Sequence, residues 1–254
     1  MIDPVRASQL NEDELWREMV RWSGGRIVEE DGLLLVSGPS AYLRVAIRCD
    51  PALEAASVVR RASEFFGADP LGFLVLARLP HDEDVQAAAL TDGFTAGWTE
   101  RSMVIHTPPA PGTAPDGIEV RPVTDTPAVV DYGRVVAEAN DDPGERERAP
   151  LLFHDETLLA PHITAYVAYR DERPVACAMT LVSHGIAGVF YVATVESARR
   201  RGLGDLLTRL ATRTGFEMGA TAAWLGASEM GAGLYRRIGF EDLGLSLVEL
   251  ESAD

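Results

Sequence analysis

The sequence predicts a mixed α/β fold, an α+β arrangement around a mixed sheet, laid out in two related halves. Three observations carry this reading. β-rich runs alternate with stretches of helical periodicity along the whole chain. Thr107–Gly117 holds four prolines and two glycines in eleven residues, which continue neither a strand nor a helix. The elements before that stretch repeat the later part of the order found after it. The chain is therefore expected to form two domains, 1–106 and 118–254, joined by 107–117 as a linker.

Taken in order, Leu15, Met19 and Trp22 share one helix face and are read as core. Ile27–Val36 and Leu43–Ile47 read as strands. Pro51–Phe66 is helical, Phe73–Leu79 a strand, His81–Leu90 a helix and Phe94–Ile105 a strand. Beyond the linker, Ile118–Val123 alternates as a short strand. A helix is expected over Asp125–Ala139, with Thr124 placed to cap it and Pro127 in its first turn. Residues 140–150 read as a polar loop or short helix, and a second helix is expected to run to about Leu159. The strands Ile163–Tyr169, Val175–Val182 and Gly188–Val195 are separated by hairpin-length breaks. After Gly204, the positions Leu206, Leu207, Leu210, Ala211 and Phe216 fit one helix face. Ala222–Gly226 is a short buried strand, Gly231–Ile238 a short helix, and Phe240–Leu250 a last strand or strand pair. Leu90-Thr91-Asp92-Gly93-Phe94 and Arg237-Ile238-Gly239-Phe240 occupy matching places, each a helix end, a glycine and a strand-opening phenylalanine.

Composition narrows the function. The 254 residues are 46% hydrophobic and 24% charged, enough apolar material for a core and too much for disorder. All 23 basic residues are arginine, which fits a GC-rich bacterial genome. Schiff-base lysine chemistry, a Walker-type phosphate loop and a protein kinase are thereby excluded. The net charge of −16, shared evenly by the two halves, repels phosphate backbones and anionic membrane surfaces. Neither nucleic acid nor a membrane is expected as a partner, whereas a cationic small substrate would be attracted. Cys49 and Cys177 are too few for a disulfide framework and lack metal-ligand spacing, so no metal is expected. Met1-Ile2-Asp3-Pro4, followed by Glu12-Asp13-Glu14, has no secretory pattern, and runs such as Ala187–Val195 are about half a membrane span. A cytoplasmic protein is expected.

The chemistry falls at a strand-to-helix turn. After the apolar run ending Ala193-Thr194-Val195, the segment Arg199-Arg200-Arg201-Gly202-Leu203-Gly204-Asp205 opens a helix. A helix N-terminus offers unpaired N–H groups and the positive end of the macrodipole. Gly202 and Gly204 remove Cβ atoms that would hold a diphosphate off the backbone. Three arginines add charge where the dipole points. A solvated basic turn capping a helix would read the same way. A dinucleotide fingerprint does not fit, because Leu207 stands where its third glycine belongs.

This run resembles the Arg/Gln-x-x-Gly-x-Gly/Ala motif of the GNAT N-acetyltransferases, in the expected place after an apolar strand. Leu225–Phe240 is similar to the family's closing strand–helix–Gly-Phe segment, and the resemblance covers 118–251. It implies a tandem GNAT-like acyl-CoA N-acyltransferase fold whose second copy is complete. It also implies acetyl-CoA as donor, with backbone groups of Ala193, Thr194 and Val195 holding the pantetheine and acetyl carbonyl. Arg199, Arg200, Arg201, Gly202, Leu203, Gly204 and Asp205 would wrap the diphosphate. Tyr235 falls on the family's tyrosine near the thioester sulfur, as general acid toward the departing thiolate. Ser228 stands where many members carry asparagine, with a hydroxyl that can still bond the pantetheine arm.

The strand Gly188–Val195 contains no carboxylate to act as base. Glu138, His184 and Glu196 are candidates, and none is assigned. Asn140-Asp141-Asp142 lies where the family usually builds its acceptor pocket, where acidic residues could attract an amine, and it reads more readily as a solvated loop. In the first half, Asp50-Pro51-Ala52-Leu53-Glu54 follows the matching strand without arginine or glycine, so a degenerate GNAT-like domain without cofactor is expected there. The leading expectation is acetyl transfer to an amine of a small molecule by direct attack. The alternatives are a non-catalytic acyl-CoA sensor or partner-binding module, and acetylation of a protein or peptide amine. Monomer and homodimer both remain open.

Overall fold

The computed structural model describes residues 3–67, 71–140 and 152–252. The N-terminal half contains α1 (Pro4–Arg21), β1 (Arg26–Glu30), β2 (Leu33–Ser37), a 3-10 turn (Ala41–Leu43), β3 (Arg44–Arg48), α2 (Ala55–Phe66), β4 (Leu74–Leu79), α3 (Glu83–Thr91) and β5 (Thr95–Ile105). The C-terminal half contains β6 (Ile118–Pro122), α4 (Thr126–Ala139), α5 (Asp155–Leu158), β7 (Ile163–Arg170), β8 (Arg173–Ser183), β9 (Ile186–Thr194), a second 3-10 turn (Glu196–Ala198), α6 (Leu203–Glu217), β10 (Ala222–Ala227), α7 (Glu229–Ile238) and β11 (Glu241–Glu251). The series β1-β2-β3-α2-β4-α3-β5 is matched element for element by β7-β8-β9-α6-β10-α7-β11. In each copy the strands flanking the first helix, β3 with β4 and β9 with β10, pair parallel across a crossover.

The described strands join one mixed sheet in the order β1-β2-β3-β4-β11-β5-β10-β9-β8-β7-β6. The copies meet by exchanging their last strands. β11 leaves its own half to pair with β4 and β5, and β5 pairs with both β11 and β10. Residues 107–117 thus divide the sequence without dividing the sheet. That stretch contains no helix or strand. It is strapped to α6, where Arg209 donates to the Ala110 carbonyl (3.3 Å) and Arg213 to that of Pro109 (3.1 Å).

Helix α1 packs on β1 and β2 of its own half and on β8 and β9 of the other. Asn11, wholly buried, makes the crossing specific. Its amide donates to the Leu181 carbonyl (3.1 Å) and the Ser183 hydroxyl (2.8 Å), and its carbonyl accepts from Trp224 Nε1 (2.8 Å). On the N-terminal side, Arg78 of β4 binds both Glu12 and Asp13 of α1 in a buried cluster. Buried polar groups are tolerated at such positions only when their bonding is completed, as here.

Several local expectations need correction. Ile27–Val36 is a hairpin, not one strand: Asp31 and Gly32 both take positive φ (46° and 78°), the geometry of a two-residue type I′ turn. Asp125, not Thr124, caps α4, because its carboxylate reaches the Ala128 N–H (3.0 Å). Helix α2 starts only at Ala55, since Asp50 forms a turn with the Ala52 N–H (2.9 Å). Leu15 and Met19 are core, but Trp22 lies past the end of α1 and is 48% exposed. Most of the polar loop at 140–150, and the beginning of any second helix, lie outside the described residues. No helix among those described is long and apolar enough to cross a membrane.

Candidate functional site

The site forms where β9 and β10 part. These strands pair at Ala222–Trp224 with Ile186–Gly188, after which no ladder joins them. A bulge on β9 sharpens the divergence. Cys177 faces Ala193 and Met179 faces Phe190, so Tyr191 and Val192 together oppose Ala178. Tyr191 takes φ 50°, a strained value for an aromatic residue that the surrounding packing must hold. Its ring lies 5.0 Å from that of Phe153, which stacks edge-on against Tyr132 (4.9 Å).

Of the expected backbone contacts, Val195 turns away from the gap, because its N–H donates to the Val175 carbonyl of β8 (3.0 Å). Alternation along an antiparallel ladder then directs the Thr194 N–H to the opposite side, into the gap. The Thr194 carbonyl accepts from Arg199 Nε (3.2 Å), and Arg199 Nη2 reaches the Ala139 carbonyl at the end of α4 (2.7 Å). Arg199 therefore braces two elements, and its guanidinium is not presented at the helix end. Arg200 and Arg201 are exposed and, among the described residues, make no ion pair.

Gly202 caps α6 with φ 81°, and no side chain bonds the cap. The first intrahelical bond from this turn is Leu206 N–H to the Gly202 carbonyl, leaving the N–H groups of Leu203, Gly204 and Asp205 without helical acceptors. A Cβ on Gly202 would meet nothing within 4 Å, so its φ, not crowding, demands glycine; at Gly204 the nearest atom would be Leu234 Cδ2 at 3.4 Å. The Asp205 carboxylate is held aside by Arg209 (2.7 Å). Uncapped N–H groups, two arginines without an ion pair among the described residues, and open space suit a diphosphate. In the first half the matching place is closed. Arg48 at the end of β3 binds Asp82 and Asp84, each at 2.7 Å, across the mouth between β3 and β4.

Tyr235 on α7 is buried (9% exposed), its ring beside Gly231 and 6.2 Å from that of Phe240. Its hydroxyl makes no hydrogen bond among the described residues. Burial, and then the Glu100 carboxylate, push its pKa up to about 12. The phenol is therefore protonated at neutral pH and able to donate. Ser228 caps α7, its Oγ accepting from the Gly231 N–H (3.2 Å).

The candidate bases lie apart. His184 is at the exposed tip of the β8–β9 hairpin, at the far end of a nine-residue strand, roughly 30 Å from Thr194. Glu138 and Glu196 are both exposed. Asp141 and Asp142 lie outside the described residues. One carboxylate that the sequence reading passed over does reach the site, namely Glu100 on the exchanged strand β5. The only signal in the sequence was a lone glutamate in a strand assigned to the other half.

Parallel strands that part beside a glycine-led helix turn, within one mixed sheet, are the arrangement that the resemblance drawn from the sequence implies. Residues 161–242 match the family described as acetyltransferase (GNAT) domain. Among solved structures, the chain is similar to a GCN5-related N-acetyltransferase from Kribbella flavida, with 22% identity, TM-score 0.74 and coverage of 98% of this chain and 96% of the other. It is similar also to a GCN5-related N-acetyltransferase from Sphaerobacter thermophilus (16%, TM-score 0.63, 98% and 93%). A tandem GNAT protein from the clavulanic acid biosynthesis pathway matches at 13% identity and TM-score 0.58, covering 96% of this chain and 95% of the other. No functionally curated protein matches the sequence. The fold is thus a tandem GNAT fold, one that supports acyl-CoA-dependent N-acyl transfer in general.

Proposed function

We propose that the protein transfers an acetyl group from acetyl-CoA to a primary amine of a small molecule by direct attack, using the C-terminal copy. The observation that carries this reading is the start of α6, uncapped and flanked by Arg200 and Arg201, beside the open gap between β9 and β10. Backbone N–H groups of Leu203, Gly204 and Asp205 would bind the diphosphate, with Arg200 and Arg201 neutralising it. The Thr194 N–H would receive the oxyanion that forms when the amine adds to the thioester carbonyl. Tyr235 would give its proton to the departing thiolate. Ser228, committed as acceptor to its helix, still has a hydroxyl proton to offer the pantetheine arm. The first copy, its mouth bridged by Arg48 and its turn carrying Asp50 and Pro51, is assigned a structural part without donor.

The reading is tested by following thiol release from acetyl-CoA with a polyamine, an aminosugar and an amino-acid amide. Amine-dependent release is expected; coenzyme A binding without release under any condition would instead indicate a sensor. A second measurement isolates the turn. Valine at position 202 cannot easily hold φ 81°, a strain of about 1–3 kcal/mol, so Gly202→Val should weaken coenzyme A binding about tenfold or more in calorimetry. Unchanged affinity would remove the diphosphate assignment.

A further inference from the structure

Glu100 belongs to the first half by sequence and to the second by position. Strand β5 runs antiparallel to β10, with Ser102 opposite Gly226 and Arg101 opposite Ala227. Period-two alternation puts Trp98, Glu100, Ser102 and Val104 on one face of β5. That face is the one covered by α1, since Val104 clusters with Ala7 and with Trp224, the residue that Asn11 binds. The α1 face is opposite the face carrying α7, whose following Gly239 meets Ile105.

The carboxylate lies against the backbone of Gly226. A Cβ there would fall inside the van der Waals envelope of Glu100 Oε2. Gly226 is two residues past Trp224, the last residue of β10 paired to β9, so it borders the gap at the level of Phe190 and Tyr191. Trp98 Nε1 donates to Oε1 (3.1 Å), which leaves Oε2 as the oxygen turned to the glycine. The titratable groups that feel the carboxylate are Glu12 on α1, Tyr42 on the turn before β3 and Tyr235 on α7. Its sequence neighbour Arg101 is engaged elsewhere, with Asp242 (3.1 Å). The charge therefore sits beside the gap, within electrostatic reach of the tyrosine on the other side.

We propose that Glu100 is the base that deprotonates the acceptor ammonium, delivered to the second copy's site by the strand exchanged from the first. The assignment rests on the acetyltransferase reading above. One ammonium proton passes to Oε2 of Glu100 and on to solvent. The amine lone pair then forms the C–N bond to the acetyl carbonyl carbon as the C–S bond breaks. Tyr235 protonates the leaving sulfur, and the second N–H proton, lost as the amide forms, restores the phenol. Burial raises the Glu100 pKa above its ordinary value, against the bond from Trp98 that lowers it, which strengthens it as a base. This gives the exchanged strand a chemical role: the C-terminal site is incomplete without the first copy.

The test compares Glu100→Gln with wild type, using acetyl-CoA and the best amine of the panel. The isosteric change should lower kcat about a hundredfold or more, leave coenzyme A affinity intact, and abolish the fall in rate on acidification that ionisation of the base imposes. An alkoxyamine or hydrazide, already neutral at pH 7, should be acetylated by the variant at close to the wild-type rate, which a purely structural defect would not allow. Gly226→Ala provides an independent arm. Its methyl group displaces the carboxylate while removing no ionisable group, and it should reproduce the loss and the rescue. Wild-type turnover shared by Glu100→Gln, with an unchanged pH profile, overturns the assignment alone. If no amine releases thiol even with wild type, the acetyltransferase reading falls and the base role falls with it.

Discussion

Replacing Arg78 by leucine is expected to destabilise the protein by about 3–5 kcal/mol, the range measured when one partner of a buried ionic cluster is removed. Arg78 Nε donates to Glu12 (2.9 Å), its Nη2 pairs with Asp13, and all three residues are buried. The leucine variant leaves Asp13 in the interior without its cation and removes the charge that holds Glu12 down, so Glu12 is driven further toward its protonated form. Denaturant unfolding of the whole chain at neutral pH would measure the loss, and a change below about 1 kcal/mol would show the cluster to be solvated. pH supplies the sign. Burial, opposed by Arg78 and helped by Asp13, raises Glu12 from 4.5 to about 7. Between those values the folded chain binds the proton and the unfolded chain does not. Glu12's contribution is thus fully present below about pH 4.5 and lost as pH rises through 7. Glu12→Gln should flatten that slope of stability against pH. Because α1 also carries Asn11 into the second half, loosening its anchor on β4 should disturb the acceptor side of the gap before the diphosphate turn.

What the sequence disclosed follows the range of the interactions involved. Hairpins, helices and the duplicated order depend on neighbours within a few residues, so alternation and glycine placement sufficed for β7 to β9, α6 and α7. The Asp31-Gly32 turn was equally local; the apolar residues on both sides disguised it as one strand. The exchange of β5 and β11 was not legible, because a strand's composition does not say which sheet position it fills. That non-local step separates Glu100 from the sequence reading, which sought the base within the second half. Among Arg199, Arg200 and Arg201, composition cannot say which one turns inward. The carbonyls of Thr194 and Ala139, brought together only by the fold, take Arg199. Likewise Thr124 and Asp125 are both good capping residues, and the path of the chain into α4 chose the second.

Tyr235→Phe should lower kcat by about a hundredfold or more, the contribution usual for a positioned proton donor, with little change in coenzyme A affinity. The structure separates this effect from folding. The ring is fixed by Gly231 and Phe240, contacts that phenylalanine keeps. The hydroxyl has no hydrogen-bond partner among the described residues, so its removal strands no buried group and stability should stay within about 0.5 kcal/mol. A phenol raised to about 12 is protonated throughout the working range. An acid loses activity as pH rises through its pKa, so wild-type kcat should show no alkaline decline from Tyr235 below about pH 10. Loss of turnover with unchanged melting and unchanged donor binding would identify the hydroxyl as the proton source. A variant within twofold of wild type would transfer that role to water. Combining Tyr235→Phe with Glu100→Gln tests the division of labour: proton removal from the amine and proton delivery to sulfur are different steps. With an amine already neutral at pH 7, the double variant should be no slower than Tyr235→Phe alone, because only the acid is then required.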